Sequence, residues 1–310
     1  MSLIEFMADQ ETGHATLLTN MLGERAPKEC YYDYPYTTVR EWLDFMQRLT
    51  RFGESGVWGF INHLDSREVG QLLAQSIATE ARQQQIFRQM SGLTPMDVWF
   101  ENGWPQSWAW SMLAPYISYC PENQTRLAWQ NFPVLQILNN PNINRYSPND
   151  TAQDGSEQVG RRVADPSVSN VTANCINVTA TGYGCSPDVG HNKSEPLSFP
   201  GKKVLLSWDS PGKAVGPNNS YVTSTAAGTP KFVGWSQQLN LTYSPLTVTS
   251  NSSDVSTGFT YQPESFVYGT DGIINGTMAI MVTDLDLFVT PFNTSMLNPH
   301  IVALGLYQAG

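Results

Sequence analysis

The run Ser2-Leu3-Ile4-Glu5-Phe6-Met7-Ala8-Asp9-Gln10-Glu11-Thr12-Gly13-His14-Ala15-Thr16-Leu17-Leu18-Thr19-Asn20-Met21-Leu22 decides the fold of this chain. Within it Ile4, Met7, Glu11, His14, Leu18 and Met21 step alternately by three and four residues, the spacing that keeps one helical face turned toward its neighbours. The same stepping returns in Leu43, Gln47, Thr50, Glu54, Val57, Ile61, Leu64 and in Val69, Leu73, Ser76, Glu80, Gln83, Phe87, Met90. Each stripe carries a carboxylate at its middle. Burying a lone carboxylate costs several kcal/mol, roughly, unless it is paired, protonated or bound to a cation. Two of these carboxylates have a polar partner one turn on, as Glu11/His14 and Glu80/Gln83. Carboxylates at matching depth on three helices are what a carboxylate-bridged metal pair in a four-helix bundle requires.

The helices are bounded by recognisable signals. Gly23 stops the first near residue 22. Thr37 or Thr38 can cap the second, with Glu41 three residues after Thr38 completing a capping box, and that helix is expected to run to about Leu64. Gly53, Gly56 and Gly59 interrupt it where a neighbouring helix can approach closely. Asp65 or Ser66 caps a third helix ending near Met90. Short connections between long helices imply antiparallel neighbours.

Beyond the helices the character of the chain changes. Residues 95–138 are rich in tryptophan, with a short helix expected over Trp108–Ser118; residues 139–170 turn polar and read as a linker. After it come short β-branched and aromatic runs: Lys203–Trp208, Tyr221–Thr225, Lys231–Trp235, Gln238–Tyr243, Leu246–Thr249, Gly258–Tyr261, Phe266–Tyr268, Thr277–Val282, Leu285–Thr290 and Ile301–Tyr307. Bounded by Pro, Gly, Asn and Ser, they predict an antiparallel β-sandwich. The expected architecture is α+β: an antiparallel helical bundle over 1–138, a linker over 139–170 and a sandwich over 171–310.

With 310 residues there is length for two cores, and a net charge of -10 with pI near 4.8 argues against nucleic acid or an anionic membrane as partner. No run approaches the apolar length of a membrane span. Ten asparagines head N-x-[ST] sequons, namely Asn123, Asn149, Asn170, Asn177, Asn192, Asn218, Asn240, Asn251, Asn275 and Asn293. Chance would supply about four. All lie after residue 120, as glycans on the second domain would. Four cysteines allow three pairings; Cys175 with Cys185 as a local staple and Cys30 with Cys120 as a clasp at the bundle's end are the expected ones. Free or metal-binding thiols are the duller alternative, against which stand the sequons and the lack of a CxxC. The reading is a secreted or cell-wall protein carrying N-linked glycans. The chain opens directly in a helical pattern without a signal peptide, which is read as missing upstream residues, since three helices leave one flank of the seam uncovered.

Several runs together resemble the secreted fungal ferritin-like stress-response proteins: Glu11-x-x-His14, Thr50-Arg51-Phe52-Gly53-Glu54-Ser55-Gly56, Thr79-Glu80-Ala81-Arg82-Gln83-Gln84 and Pro105-Gln106-Ser107-Trp108-Ala109-Trp110. Asp284-Leu285-Asp286-Leu287-Phe288 and Leu306-Tyr307-Gln308 are similar to that family's β-rich tail. The resemblance implies that Glu11 and His14 stand on the second bundle helix, Glu54 on the third, and Glu80 with Gln83 on the fourth. The chain departs from the superfamily pattern twice: the first helix with its Glu is missing, and Gln83 stands where a second His belongs. An amide oxygen is a poorer donor to iron than imidazole.

Two functions follow. The first is a stress or cell-surface glycoprotein without efficient catalysis and with no catalytic residue, its seam carboxylates a relic. The alternative is an iron- or manganese-dependent oxidase or iron-handling protein using Glu11, His14, Glu54, Glu80 and Gln83. An Arg51 or Arg82 guanidinium among the carboxylates favours the relic; oxygens converging within about 4–6 Å favour metal. Trp99 to Trp110 offers either a platform for cell-wall carbohydrate or a wedge buried between domains. A fourth helix from upstream or from a second copy of the chain would restore the missing carboxylate.

Overall fold

The computed structural model describes residues 2–90, 95–96, 98–122, 124–141, 198–264 and 276–309. Cys175, Cys185, the expected strand Phe266–Tyr268, most of the expected linker and the sequons at Asn123, Asn149, Asn170, Asn177, Asn192 and Asn275 lie outside the described residues.

Three long helices open the chain: α1 (Ser2–Leu22), α2 (Val39–Ile61) and α3 (Arg67–Met90). Gly23 ends α1 with φ of 58°, a conformation L side chains avoid. The capping box of α2 is formed: the Glu41 amide donates to Thr38 Oγ1 (3.2 Å), and Glu41 Oε2 accepts from the Thr38 amide (3.0 Å). Ser66 Oγ accepts from the Val69 amide at 3.2 Å and starts α3. Met7, Leu43 and Phe87 meet in a small core shared by all three helices.

The short helix is α4 (Gln106–Leu113), beginning two residues earlier and ending sooner than expected. Gly56 and Gly59 make its seat. A Cβ on Gly56 would lie 2.8 Å from the Ala109 Cβ, and one on Gly59 would collide with the backbone of Trp104. Trp104 donates its amide to the Ser55 carbonyl at 2.8 Å, locking the approach. Gly53 differs: nothing stands within 4 Å of where its Cβ would be.

The strands are short: β1 (Tyr31–Tyr32), β2 (Ile117–Tyr119), β3 (Leu135–Ile137), β4 (Lys203–Asp209), β5 (Ala214–Val215), β6 (Tyr221–Val222), β7 (Phe232–Gln237), β8 (Asn240–Pro245), β9 (Thr247–Asn251), β10 (Val255–Tyr261), β11 (Gly276–Thr283) and β12 (Ile301–Ala309). β3-β4-β10-β9 and β12-β11-β7-β8 form two four-stranded antiparallel sheets; β1-β2 and β5-β6 are two-stranded ribbons. Cys30 and Cys120 are disulfide-bonded at the β1-β2 ribbon, clasping the end of the helical layer as expected.

The sheets join at both margins. β8 runs through Leu246 directly into β9 of the other sheet, while Val134 bridges Leu304 and the Gly305 backbone lies tight against the Leu135 carbonyl. β11 shows how the layers stack. Its Met278, Ile280 and Val282 face the core between the sheets, with Leu206, Trp208, Trp235 and Tyr307. Ala279 and Met281 face the opposite way, into a core with Phe52, Trp104, Trp108 and Leu304. A strand covered on both sides is apolar throughout, which is why this run lacks alternation. Trp104 and Trp108 therefore wedge between helices and sheet, with Trp108 Nε1 donating to Asn298 Oδ1 at 2.9 Å, whereas Trp99 is exposed.

One expected strand is absent: Leu285–Thr290 is an irregular loop. β11 already pairs with β7 on one side and β12 on the other, so its continuation has no free ladder. Asp284 turns the chain, its carboxylate accepting the Gly228 amide (2.6 Å) and facing His300 Nδ1 (3.0 Å).

Candidate metal site

α1 and α3 bring Glu11, His14, Glu80 and Gln83 together at mid-helix, as their seam positions require. One donor atom from each of Glu11, His14 and Glu80 lies within 4.8 Å of the others. His14 Nδ1 stands 3.5 Å from Glu11 Oε1 and 3.6 Å from Glu80 Oε1. That nitrogen is buried and makes no hydrogen bond among the described residues. Both oxygens stop just outside hydrogen-bond range of it, a spacing that an ion held by all three would suit. Two carboxylates and one imidazole are an ordinary donor set for iron, manganese or zinc.

Gln83 braces the site. Its amide nitrogen donates to Glu11 Oε1 at 2.9 Å and to Gln10 Oε1 at 3.2 Å. With that nitrogen committed to Glu11, Gln83 acts here as a donor that fixes a carboxylate.

Glu54, on α2, is completely buried, and Arg51 Nη1 lies 3.7 Å from its Oε2. The same guanidinium pairs with Glu101. Glu101 is delivered by the loop before α4, which is pinned to the sheet: Gln238 Oε1 accepts the Trp99 and Phe100 amides (2.8 and 3.0 Å), and Asn102 donates to the Ser236 carbonyl at 2.7 Å. Glu54 thus faces a cation of the protein's own on one side and the Glu80 cluster on the other. Its negative charge still reaches Glu80. Burial first, then Glu11 and Glu54, push the Glu80 carboxyl up to about 8, so it holds a proton at neutral pH. A cation bound there would displace that proton and be paired at once.

Beside the cluster opens a cavity of about 450 Å3, walled by the α2 residues Leu49, Phe52, Gly53 and Val57, by Trp110 of α4, and by Glu11 and Glu80 at its polar end. Gly53, expected to admit a neighbouring helix, instead leaves this space open. Glu101 and Gln10 are the functional residues that sequence reasoning missed. Glu101 sits in a loop without periodicity, and Gln10 falls one position off the α1 stripe, so neither carried a signal.

Residues 1–93 match the family model of the ferritin-like domain. The chain is 48% identical over 311 residues to protein rds1 of Schizosaccharomyces pombe, an alignment covering 99% of this chain and 70% of that protein.

Proposed function

The chain belongs to the fungal ferritin-like family of protein rds1, and from that premise we propose that it is a secreted stress or cell-surface glycoprotein that binds one divalent iron or manganese ion without efficient catalysis. The convergence of Glu11, His14 and Glu80 within 4.8 Å carries the metal reading. The restriction to one ion is supported by Arg51 beside Glu54 and by Gln83 in place of a second imidazole. A bound ion would supply Lewis acidity and, for iron or manganese, one-electron redox capacity. The chain's own residues hold and orient: Gln83 fixes Glu11, and burial keeps Glu80 protonated until an ion replaces the proton.

The disulfide and the sequon density support the secretory assignment. Among the described residues no helix is long and apolar enough to cross a membrane. The two sheets, sharing one apolar core, are proposed as a sandwich, and the helical layer as a ferritin-like four-helix bundle. Its remaining long helix, from an N-terminal extension or a second copy, would pack along α2 outside this cavity, which is too small for a helix. The exposed Trp99 keeps a cell-wall carbohydrate contact in view.

The oxidase reading has one observation in its favour: Glu54 lies close enough to Glu80 to raise its proton affinity, so a fourth helix bearing a carboxylate would complete a second ion's shell. Metal analysis by mass spectrometry on protein purified without chelators, then loaded anaerobically with ferrous iron, separates the readings. One equivalent, lost in a Glu11→Ala, His14→Ala variant, is expected. Two equivalents favour the oxidase; none after loading overturns the metal site.

A further inference from the structure

We propose that Asn240 and Asn251 carry N-linked glycans that shield the open outer strands of the two sheets and keep folded chains from pairing edge to edge. The proposal rests on the secretory reading above. β8 and β9 are the last strands of their sheets, and each has a hydrogen-bonded strand neighbour on one side only among the described residues, β7 and β10 respectively. With Leu246 between them, they form a continuous ribbon from residue 240 to residue 251.

That ribbon reads Asn-Leu-Thr-Tyr-Ser-Pro-Leu-Thr-Val-Thr-Ser-Asn and contains no Asp, Glu, Lys or Arg, in a chain whose net charge is -10. All five residues of β9 are exposed. A polar but uncharged edge rich in β-formers is a template for another chain, and edge strands are ordinarily blunted by lysine, proline, a bulge or a cover. Among the described residues a bulge at Thr249 of β9, opposite Thr257 and Gly258 of β10, and the single Pro245 at the end of β8 are the protein's own protection. Both lie inside the ribbon, short of Asn240 at the start of β8 and of Asn251 at the end of β9.

The sequons supply what is missing. Asn240-Leu241-Thr242 opens β8 and Asn251-Ser252-Ser253 closes β9, and both asparagines are exposed. A glycan at each end is a bulky, hydrated cover set where an incoming strand would have to begin pairing. The two other described sequons are elsewhere. Asn218 stands exposed in a turn between β5 and β6. Asn293 is half-buried, its Oδ1 accepting the Thr290 amide at 2.6 Å and hydroxyl at 3.0 Å.

Glycopeptide mapping of the protein isolated from the cells that make it, with enzymatic release leaving a mass tag at each modified asparagine, tests placement. Light scattering of an Asn240→Gln, Asn251→Gln double variant, beside Asn218→Gln as control, tests the role. Expected are tags at Asn240 and Asn251, and a double variant that self-associates with a several-fold loss of soluble yield while circular dichroism shows it still folded. The control keeps the wild-type mass less its one glycan. A chain glycosylated at Asn218 but bare at Asn240 and Asn251, or a double variant that stays unassociated, overturns the proposal alone. A chain without sugar at any sequon overturns the secretory reading and this proposal together.

Discussion

The core between the sheets and the seam between the helices both bury polar groups, to opposite effect. Between the sheets, Trp235 Nε1 donates to Ser244 Oγ (2.8 Å), Ser244 meets Thr260 Oγ1 (2.7 Å), and Tyr307 donates to Gln262 Oε1 (2.8 Å). Each of these groups recovers on folding the hydrogen bond it gave up to water, so the network specifies one packing. In the seam, the buried His14 Nδ1 faces two carboxylates without a hydrogen bond among the described residues, and burial and like charge raise the affinity of Glu80 for its proton. Polarity that is satisfied fixes a fold. Polarity that is left in tension costs stability, and it is on this tension that the proposed ion site rests.

The largest test breaks the satisfied side. Trp235 is fully buried and stands edge-on to Tyr307 at 5.1 Å. Trp235→Ala removes the ring and one of the two hydrogen-bond partners of the Ser244 hydroxyl, and is expected to cost about 3–5 kcal/mol in denaturant titrations. Iron or manganese affinity, measured where the variant is still folded, should not move. A parallel loss of affinity would show that the two regions are not the separate devices this contrast makes them.

A smaller effect of opposite sign belongs to the seam. Glu80 is raised from the ordinary 4.5 to about 8 in the folded chain, so the folded state binds its proton more tightly than the unfolded one. The stabilisation this gives is complete below about 4.5 and is lost as pH climbs through about 8. Glu80→Gln, neutral at every pH, should therefore stabilise the metal-free protein by roughly 2–4 kcal/mol near pH 8 and change it little near pH 4.5. Thermal melts at both pH values, with chelator present, check it. The same variant should lose metal binding. Wild-type affinity should fall by about tenfold per pH unit below the Glu80 pKa, because ion and proton compete for one carboxylate.

Much of the helical half was legible because its signals are local. The stripes placed Glu11, His14, Glu80 and Gln83 on facing helices, and Gly23, Thr38 with Glu41, and Ser66 marked the helix ends. Gly56 and Gly59 announced a close approach without naming what approached, and only the structure identifies α4 and Trp104. Glu54 shows the limit of periodicity. Its stripe turned it inward, but its direction inside was set by Arg51 and by Glu101, whose loop is held by Gln238 and Asn102 contacts more than 130 residues distant in sequence. Loop-borne partners have no period to read. In the second half, alternation and turn residues located most strands, yet Leu285–Thr290 has strand composition and no vacant ladder to join. Pairing is decided by which neighbours are already taken, which composition does not encode.

The smallest test asks how firmly the tense region is held. α2 carries Arg51 and Glu54 at its middle, and its N-terminus is fastened by the Thr38–Glu41 box, where amide and hydroxyl donors at Thr37 and Thr38 hold the Glu41 carboxyl below its usual range. Thr38→Ala removes the acceptor for the Glu41 amide and should cost about 1 kcal/mol. Thr38 and Glu54 are more than three helical turns apart. If helix fraying stays within the first turn, ion affinity is unchanged and the seam's strain is maintained locally, by Arg51, Gln83 and the packing around them. If affinity drops along with stability, the strain is distributed along α2, and the site draws on the whole helix to hold Glu54 near the protonated Glu80. The sign of that second measurement separates a rigid pocket from a sprung one, which the size of the stability loss alone does not.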